Sequence, residues 1–361
     1  MTDPARTNLV GRAASAGPPN RYERVHVEHE QAESFADEPM LDHRPRVATE
    51  FLPDASQSIL TRNDSPDISF RWSINPYRGC EHGCAYCYAR PTHELLGFRA
   101  GLDFESRILV KHHAAELLRR ELNHRGWKPQ PIAISGVTDC YQPAERRFRL
   151  TRGLLEVLLE ARQPVSIITK NALVRRDLDL LAPMAQRGLV HVFLSITTLE
   201  ESLARIMEPR TATPSARLRT VAELSHAGVP VGVMLAPIIP GLNDAEIPSI
   251  LRAARDAGAA VAGWTLLHLP TSVEPVFREW LDRRLPLYRD RVEALIRSTR
   301  GGHMNDARFG HRMRGQGEYA EQIARTFHLF AKRYGLDGRL ADLNATDFRP
   351  PRMPGGQLRL F

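Results

Sequence analysis

Short, almost continuously apolar runs recur through the middle of the chain, and longer segments with apolar positions every three to four residues alternate with them. Phe70–Asn75, Pro131–Gly136, Val165–Lys170, Val190–Ile196, Val229–Leu235 and Val261–Leu267 read as strands. Between them Ala114–Leu122, Leu150–Ala161, about Asp177 to Gln186, Ser215–His226 and Ala245–Ala257 carry helical spacing, clearest where Leu150, Leu154, Leu155, Leu158 and Leu159 line one face. Strands without a polar face, separated by helices of roughly 10 to 15 residues, predict an α/β fold with a parallel sheet and helices on its outer face. Six such units suit an open barrel or a doubly wound sheet equally, since periodicity carries no information on closure.

The flanks behave differently. Residues 1–68 show no sustained period, with Gly11, Gly17, Pro18 and Pro19 followed by scattered histidines and acids. They are expected to form a partly disordered N-terminal extension, with a short strand near Val47–Leu52 and a docking segment at Arg21, Tyr22 and Glu23. Ser106–Lys111 reads as a short extended piece. After Pro270 the alternation stops; helices are predicted from about Leu287 to Arg297 and over Glu318–Tyr334, the second with Ala320, Ile323, Ala324, Phe327, Phe330 and Ala331 on one side. The expected division is an extension over 1–68, a core over 69–272, a helical region over 273–335 that caps the barrel or walls its opening, and a tail over 336–361. Within that tail Leu358, Leu360 and Phe361 are candidates for packing.

Composition narrows the class. Of 361 residues, 42% are hydrophobic and 25% charged, ordinary for a globular chain with a substantial core. No stretch approaches the roughly 18 uncharged apolar residues of a membrane span, and the N-terminus lacks a basic segment followed by an apolar run, so a cytoplasmic location is expected. A net charge of +7 favours an anionic partner such as nucleic acid, although scattered arginines produce the same sum. Four cysteines, three of them clustered, do not form a disulfide framework and suit a reducing compartment.

Those three carry the chemistry. Cys80, Cys84 and Cys87 fall within eight residues, on a loop punctuated by Gly79 and Gly83 and placed directly after the first strand. Thiolates at this spacing cage one metal centre. A structural zinc would need a fourth ligand, for which His82 and His93 are candidates; an iron-sulfur cluster on three cysteines would keep one iron open.

The run Cys80-x3-Cys84-x2-Cys87, with Tyr86 before the third cysteine, resembles the signature of the radical S-adenosylmethionine superfamily. The wider frame from Asn75-Pro76-Tyr77-Arg78-Gly79 to Tyr88-Ala89-Arg90 is similar to the branch that includes spore photoproduct lyase and its bacterial relatives. The resemblance spans roughly residues 70–270 and implies a partial (β/α)6 barrel. It also implies a 4Fe-4S cluster on the three cysteines and S-adenosylmethionine on the open iron. Reductive cleavage to a 5'-deoxyadenosyl radical would then abstract hydrogen from a substrate, with nucleic acid or a nucleotide favoured, and an electron donor such as flavodoxin or ferredoxin would be the partner. For cofactor binding it points to Tyr86 beside the adenine, to Gly136, Thr138 and Asp139 after the second strand, to Lys170 for the methionine carboxylate, and to Ser195. Cys140 matches a position that supplies a hydrogen atom in the branch, against the simpler role of a buried thiol. Arg78, His82 and Arg90 are candidates for tuning the cluster. Blocks around Glu208–Thr211, Arg217 and Pro237–Asp244 also resemble the branch. Two alternatives are a Cys/His zinc knuckle that binds nucleic acid without catalysis, and a radical enzyme of methyl or sulfur transfer.

Overall fold

The computed structural model describes residues 11–14, 17–22 and 47–353. Ten strands are numbered along them: β1 (Glu50–Pro53), β2 (Leu60–Arg62), β3 (Trp72–Ile74), β4 (Tyr77–Arg78), β5 (Arg107–Val110), β6 (Ile132–Ile134), β7 (Val165–Thr169), β8 (Val190–Ser195), β9 (Val231–Ile238) and β10 (Val261–Leu266). The six expected strands are β3 and β6 to β10, and they pair in parallel in the order in which the chain makes them. A parallel crossover is right-handed, so a sheet laid down in sequential order keeps every crossover helix on the same face. The other face can be shielded only by curling. The architecture is therefore an α/β partial barrel, as expected.

The helices fall close to their predicted positions: Ala114–Leu122, Leu150–Ala161, Leu178–Gln186, Pro214–His226 and Ile247–Asp256. Their buried faces meet the sheet in one core containing Ile134, Leu154, Leu158, Val165, Val192, Leu224, Val233 and Leu251. Start signals are legible in the helix Pro214–His226, where Thr213 caps the N–H of Ala216 and proline occupies the first turn.

Two strands lie in the N-terminal extension. The strand expected near Val47–Leu52 forms as β1, and β2, only three residues long and so too short to show an alternation, pairs antiparallel with β3 at the sheet edge. A second small sheet has the order β1-β5-β4. Its register sets Tyr77 opposite Val110 and Arg78 opposite Leu109, so the chain is clamped immediately before the cysteine loop. Arg21 pairs with Glu94 at 2.7 Å; Glu23 lies outside the described residues.

The helical region divides its work. Val273–Arg284 and Arg289–Ser298 bury Phe277, Trp280, Leu281, Val292 and Ile296 against Cys84, Ala85 and Tyr86. The Trp280 indole also donates to the Ile206 carbonyl at 2.9 Å. Truncation of such an aromatic costs about 3–5 kcal/mol, so this contact holds the loop firmly. Glu318–Arg333 packs instead on the outer helix Ile247–Asp256 and beside Trp264. Residues 336–353 run back over the body. The Leu336 carbonyl accepts from the Ala262 N–H of the edge strand, the Asn344 N–H donates to Gly188 and the Arg349 N–H to Ala161. Leu358, Leu360 and Phe361 lie outside the described residues. No described helix is long and apolar enough to cross a membrane.

Candidate functional site

The cysteine loop begins where β4 ends, at the C-terminal end of the first parallel strand. Gly79 and Gly83 adopt φ of +79° and +64°, and a Cβ on Gly79 would lie 2.9 Å from both the Arg107 carbonyl and the His93 ring, so only glycine fits. The loop is pinned from several sides. The Cys80 N–H donates to the Phe104 carbonyl at 2.9 Å and the Ala85 N–H to Met207 at 3.0 Å. Gln142 accepts from the Glu81 N–H at 2.8 Å and donates to the Gly79 carbonyl at 3.1 Å. Arg90, wholly buried, donates to the carbonyls of Cys84 (2.7 Å), Ala100 (3.0 Å) and Gly101 (3.1 Å) and pairs with Glu105 at 2.6 Å. Among the candidates for tuning, Arg90 is thus a structural pin, and Arg78 is paired with Asp54 at 2.8 Å.

None of the three thiols is in a disulfide; Cys80 and Cys84 are buried and Cys87 is partly so. Burial pushes each of them up, and neighbouring thiols of the same loop push Cys80 and Cys84 further. Three thiols in one desolvated place ionise only around a cationic centre, which inverts this preference by binding the thiolates. The donor set therefore fits a bound metal centre. A single tetrahedral ion would need a fourth ligand beside the three thiols. Both histidines proposed as a fourth ligand are committed elsewhere. The Asn171 amide donates to His82 Nε2 at 3.1 Å, leaving Nδ1–H to face Asp139 at 3.4 Å, and burial keeps the ring neutral by lowering its pKa. His93 Nε2–H donates to the Arg107 carbonyl at 2.9 Å. An iron-sulfur cluster, larger than one ion and content with three thiolates, suits the loop.

Around the barrel mouth, the expected residues divide into those that stay open and those that brace. Lys170 follows β7, half-buried, with its ammonium 5.8 Å from the centre of the Tyr86 ring and no carboxylate partner among the described residues. Tyr86 is held by its hydroxyl, which donates to Glu208. Glu208 also accepts from Thr197 at 2.8 Å and pairs with Arg217, and both members of that ion pair are buried. Arg217 further donates to the carbonyls of Ser195 (2.9 Å) and Ala212 (2.8 Å). Ser195 thus ends β8 with its carbonyl taken.

Asp139 is a brace. Its carboxylate accepts from the Tyr141 N–H, the Thr169 hydroxyl and the Lys170 N–H at 2.7–2.8 Å and faces His82, which uses its lone pairs. Thr138 donates its hydroxyl to the Tyr77 carbonyl at 2.7 Å. Gly136 lies against Ser73, where a Cβ would come within 2.9 Å, and its carbonyl accepts from Tyr88 at 2.9 Å. Cys140 is wholly buried in the main core. Its N–H donates to Ser135, its carbonyl accepts from Thr151, and burial holds its thiol well above the usual range.

Sequence reasoning named Glu208 and Arg217 as blocks but assigned them no task, and it passed over Glu105 and Gln142. A lone acid or amide has no local signature; its partner lies far along the chain. The turn Pro240–Asp244 closes on Asn243, whose amide donates to the Thr197 and Pro237 carbonyls at 2.7 and 3.1 Å and whose oxygen accepts from the Ile239 N–H. Asn243 is therefore internal support for the loop after β9.

Comparison with known proteins agrees with this geometry. Residues 74–254 match the family described as the Radical SAM superfamily. An uncharacterized protein of Mycobacterium tuberculosis is 40% identical over 235 residues, covering 64% of this chain and 68% of the relative. One of Methanocaldococcus jannaschii is 32% identical over 176 residues, covering 49% and 63%. Among solved structures, spore photoproduct lyase complexed with dinucleoside spore photoproduct superposes with a TM-score of 0.56 at 16% identity, over 79% of each chain. A mutant of that enzyme with bound AdoMet and dinucleoside spore photoproduct gives 0.54 at 16% identity, over 80% of this chain and 79% of that one. At such identity the likeness concerns the fold.

Proposed function

We propose, from the premise that this chain belongs to the Radical SAM superfamily and is an enzyme using S-adenosylmethionine and a 4Fe-4S cluster, a hydrogen-abstracting reaction at the barrel mouth. When bound, the cluster and cofactor would supply reductive cleavage of S-adenosylmethionine and the hydrogen abstraction that follows from it. Cys80, Cys84 and Cys87 hold the cluster. Lys170 is the cation for the cofactor's carboxylate; its backbone is fixed by Asp139 and its ammonium lies over the ring of Tyr86. Tyr86, locked by Glu208 and Arg217, offers a fixed aromatic edge to the adenosyl group, and Gly136 and Ser195 line the same row of strand ends. Thr138 and Asp139 act by holding these loops in place.

The observation that carries the reading is a Lys170 with no ion-pair partner among the described residues, together with two buried thiols and a partly buried third at the C-terminal ends of parallel strands, where barrel enzymes keep their chemistry. The excess of basic residues supports nucleic acid or a nucleotide as substrate, and a small reduced electron carrier such as flavodoxin or ferredoxin as the reductant. Cys140, enclosed in the core, serves packing in this reading. The test is anaerobic reconstitution with iron and sulfide, then dithionite and S-adenosylmethionine. Free 5'-deoxyadenosine should form, should vanish in C80A, C84A and C87A together with the bound iron, and should persist in C140A. A fully loaded cluster that leaves the cofactor intact would refute the proposal. Repeating the assay with DNA, RNA and metabolite extract, and tracing deuterium into 5'-deoxyadenosine, identifies the substrate class.

A further inference from the structure

Residues Gly11–Ala14 lie against the cysteine loop. The backbone N–H groups of Arg12, Ala13 and Ala14 all donate to the carboxylate of Glu105, at 2.5, 3.3 and 3.0 Å. Glu105 is buried and also holds Arg90, so one acid ties this segment to the pin of the cysteine loop. The Ala13 carbonyl accepts from Arg283 at 2.7 Å, which joins the same segment to the helix Val273–Arg284. Ala13 and Ala14 are buried in turn. The Arg12 stem lies flat on Gly83, where a Cβ would come within 2.5 Å of its own. Beyond it the guanidinium, 12% exposed, donates to Thr49 at 2.5 Å and stands 3.5 Å from Glu81, the residue after the first cysteine.

Around this group Arg90 is balanced by Glu105 and Arg78 by Asp54, and the Asp139 carboxylate faces His82 at 3.4 Å. Arg12 and Arg210, the latter at 2.8 Å, share the single acid Glu81. One carboxylate thus serves two guanidiniums, and the stem of Arg12 lies on Gly83, the residue before Cys84. We propose that Gly11–Ala14 is a strap across the cysteine loop and that Arg12 is a positioning residue whose charge raises the reduction potential of the cluster on Cys80, Cys84 and Cys87. The inference rests on the reading of that site given above. A cluster gains negative charge on reduction, so a fixed cation at its margin stabilises the reduced form, and partial burial keeps solvent from screening it.

The test compares full-length, anaerobically loaded wild type with Arg12→Gln and Arg12→Lys by potentiometric titration followed by electron paramagnetic resonance. Arg12→Gln should move the midpoint negative, so that at the wild-type midpoint the reduced-to-oxidised ratio falls about tenfold, or about 59 mV for a one-electron couple. Iron and sulfide content should be unchanged, and Arg12→Lys should titrate near wild type. Thr49→Asp keeps an acceptor for Arg12 while cancelling its charge, and should give the same negative shift even where Arg12→Gln fails to load. A midpoint that moves in neither Arg12→Gln nor Thr49→Asp overturns the inference alone. A wild-type chain that assembles no cluster overturns the reading of the site, and this inference with it.

Discussion

Arg217→Met should be among the most damaging single substitutions in the barrel. Arg217 and Glu208 are both buried, their side chains 1% and 0% exposed, and the guanidinium is the only cation paired with Glu208 among the described residues. Methionine keeps much of the volume and leaves the carboxylate with two hydroxyl donors, Tyr86 and Thr197. An uncompensated buried charge costs about 3–5 kcal/mol, a large part of the roughly 5–15 kcal/mol that holds a folded domain together. Urea unfolding of the cofactor-free chain, followed by circular dichroism, should show the midpoint falling with the slope unchanged. Adding Glu208→Gln removes the orphaned charge and keeps an acceptor for Tyr86, so the double variant should regain most of the loss, with a coupling energy of about 2 kcal/mol or more. Acid should mimic the first step. Burial pushes the Glu208 carboxyl up, but Arg217 and Lys170, with hydrogen bonds from Tyr86 and Arg217, hold it below its ordinary value. A folded pKa below the unfolded one stabilises the protein above about pH 4.3, and that contribution is lost as the pH falls through the folded value. An Arg217→Met chain within about 1 kcal/mol of wild type, or an additive double variant, would show that the pair carries no such weight.

Two further outcomes follow from groups nearby. Lys170→Ala should retain the iron and weaken S-adenosylmethionine binding roughly tenfold to a hundredfold, the worth of one charge-assisted hydrogen bond, by calorimetry on the loaded enzyme; unchanged affinity would remove Lys170 from the cofactor site. His93, sunk between Phe98 and Phe104 with Nδ1 unpartnered, is lowered by burial to about 4. Its folded pKa lies below the unfolded value of about 6.5, so the chain should lose up to about 3 kcal/mol as the pH falls from 6.5 to 4, and His93→Phe should flatten that slope in unfolding curves taken across the range.

The order of strands and helices was legible because its signals are local. A buried parallel strand has no polar face over five or six residues, a helix repeats within a dozen, and Thr213-Pro214 marks a helix start with neighbouring residues. The cluster of three cysteines was legible for the same reason, since the loop that gathers them spans eight residues. The expected roles of Thr138 and Asp139 illustrate the limit. Both stand at the strand end where a ligand contact would be, and only their partners reveal that their polar atoms are spent on Tyr77, Thr169 and Lys170.

What the tertiary structure decided is which distant groups share a buried space. Tyr86 meets Glu208 across 122 positions, Arg12 meets Glu105 across 93, and Arg312 reaches Asp67 across 245. No periodicity encodes such pairs, because each member is an ordinary polar residue until the fold removes water from both. Amphipathic period and cysteine spacing, by contrast, act through the nearest turns of the backbone. The chain alone therefore determines its alternating strand and helix units and the three thiols at the first strand's end. The folded molecule determines which cation keeps no ion-pair partner among the described residues, and which are already committed to holding the loop that carries the cysteines.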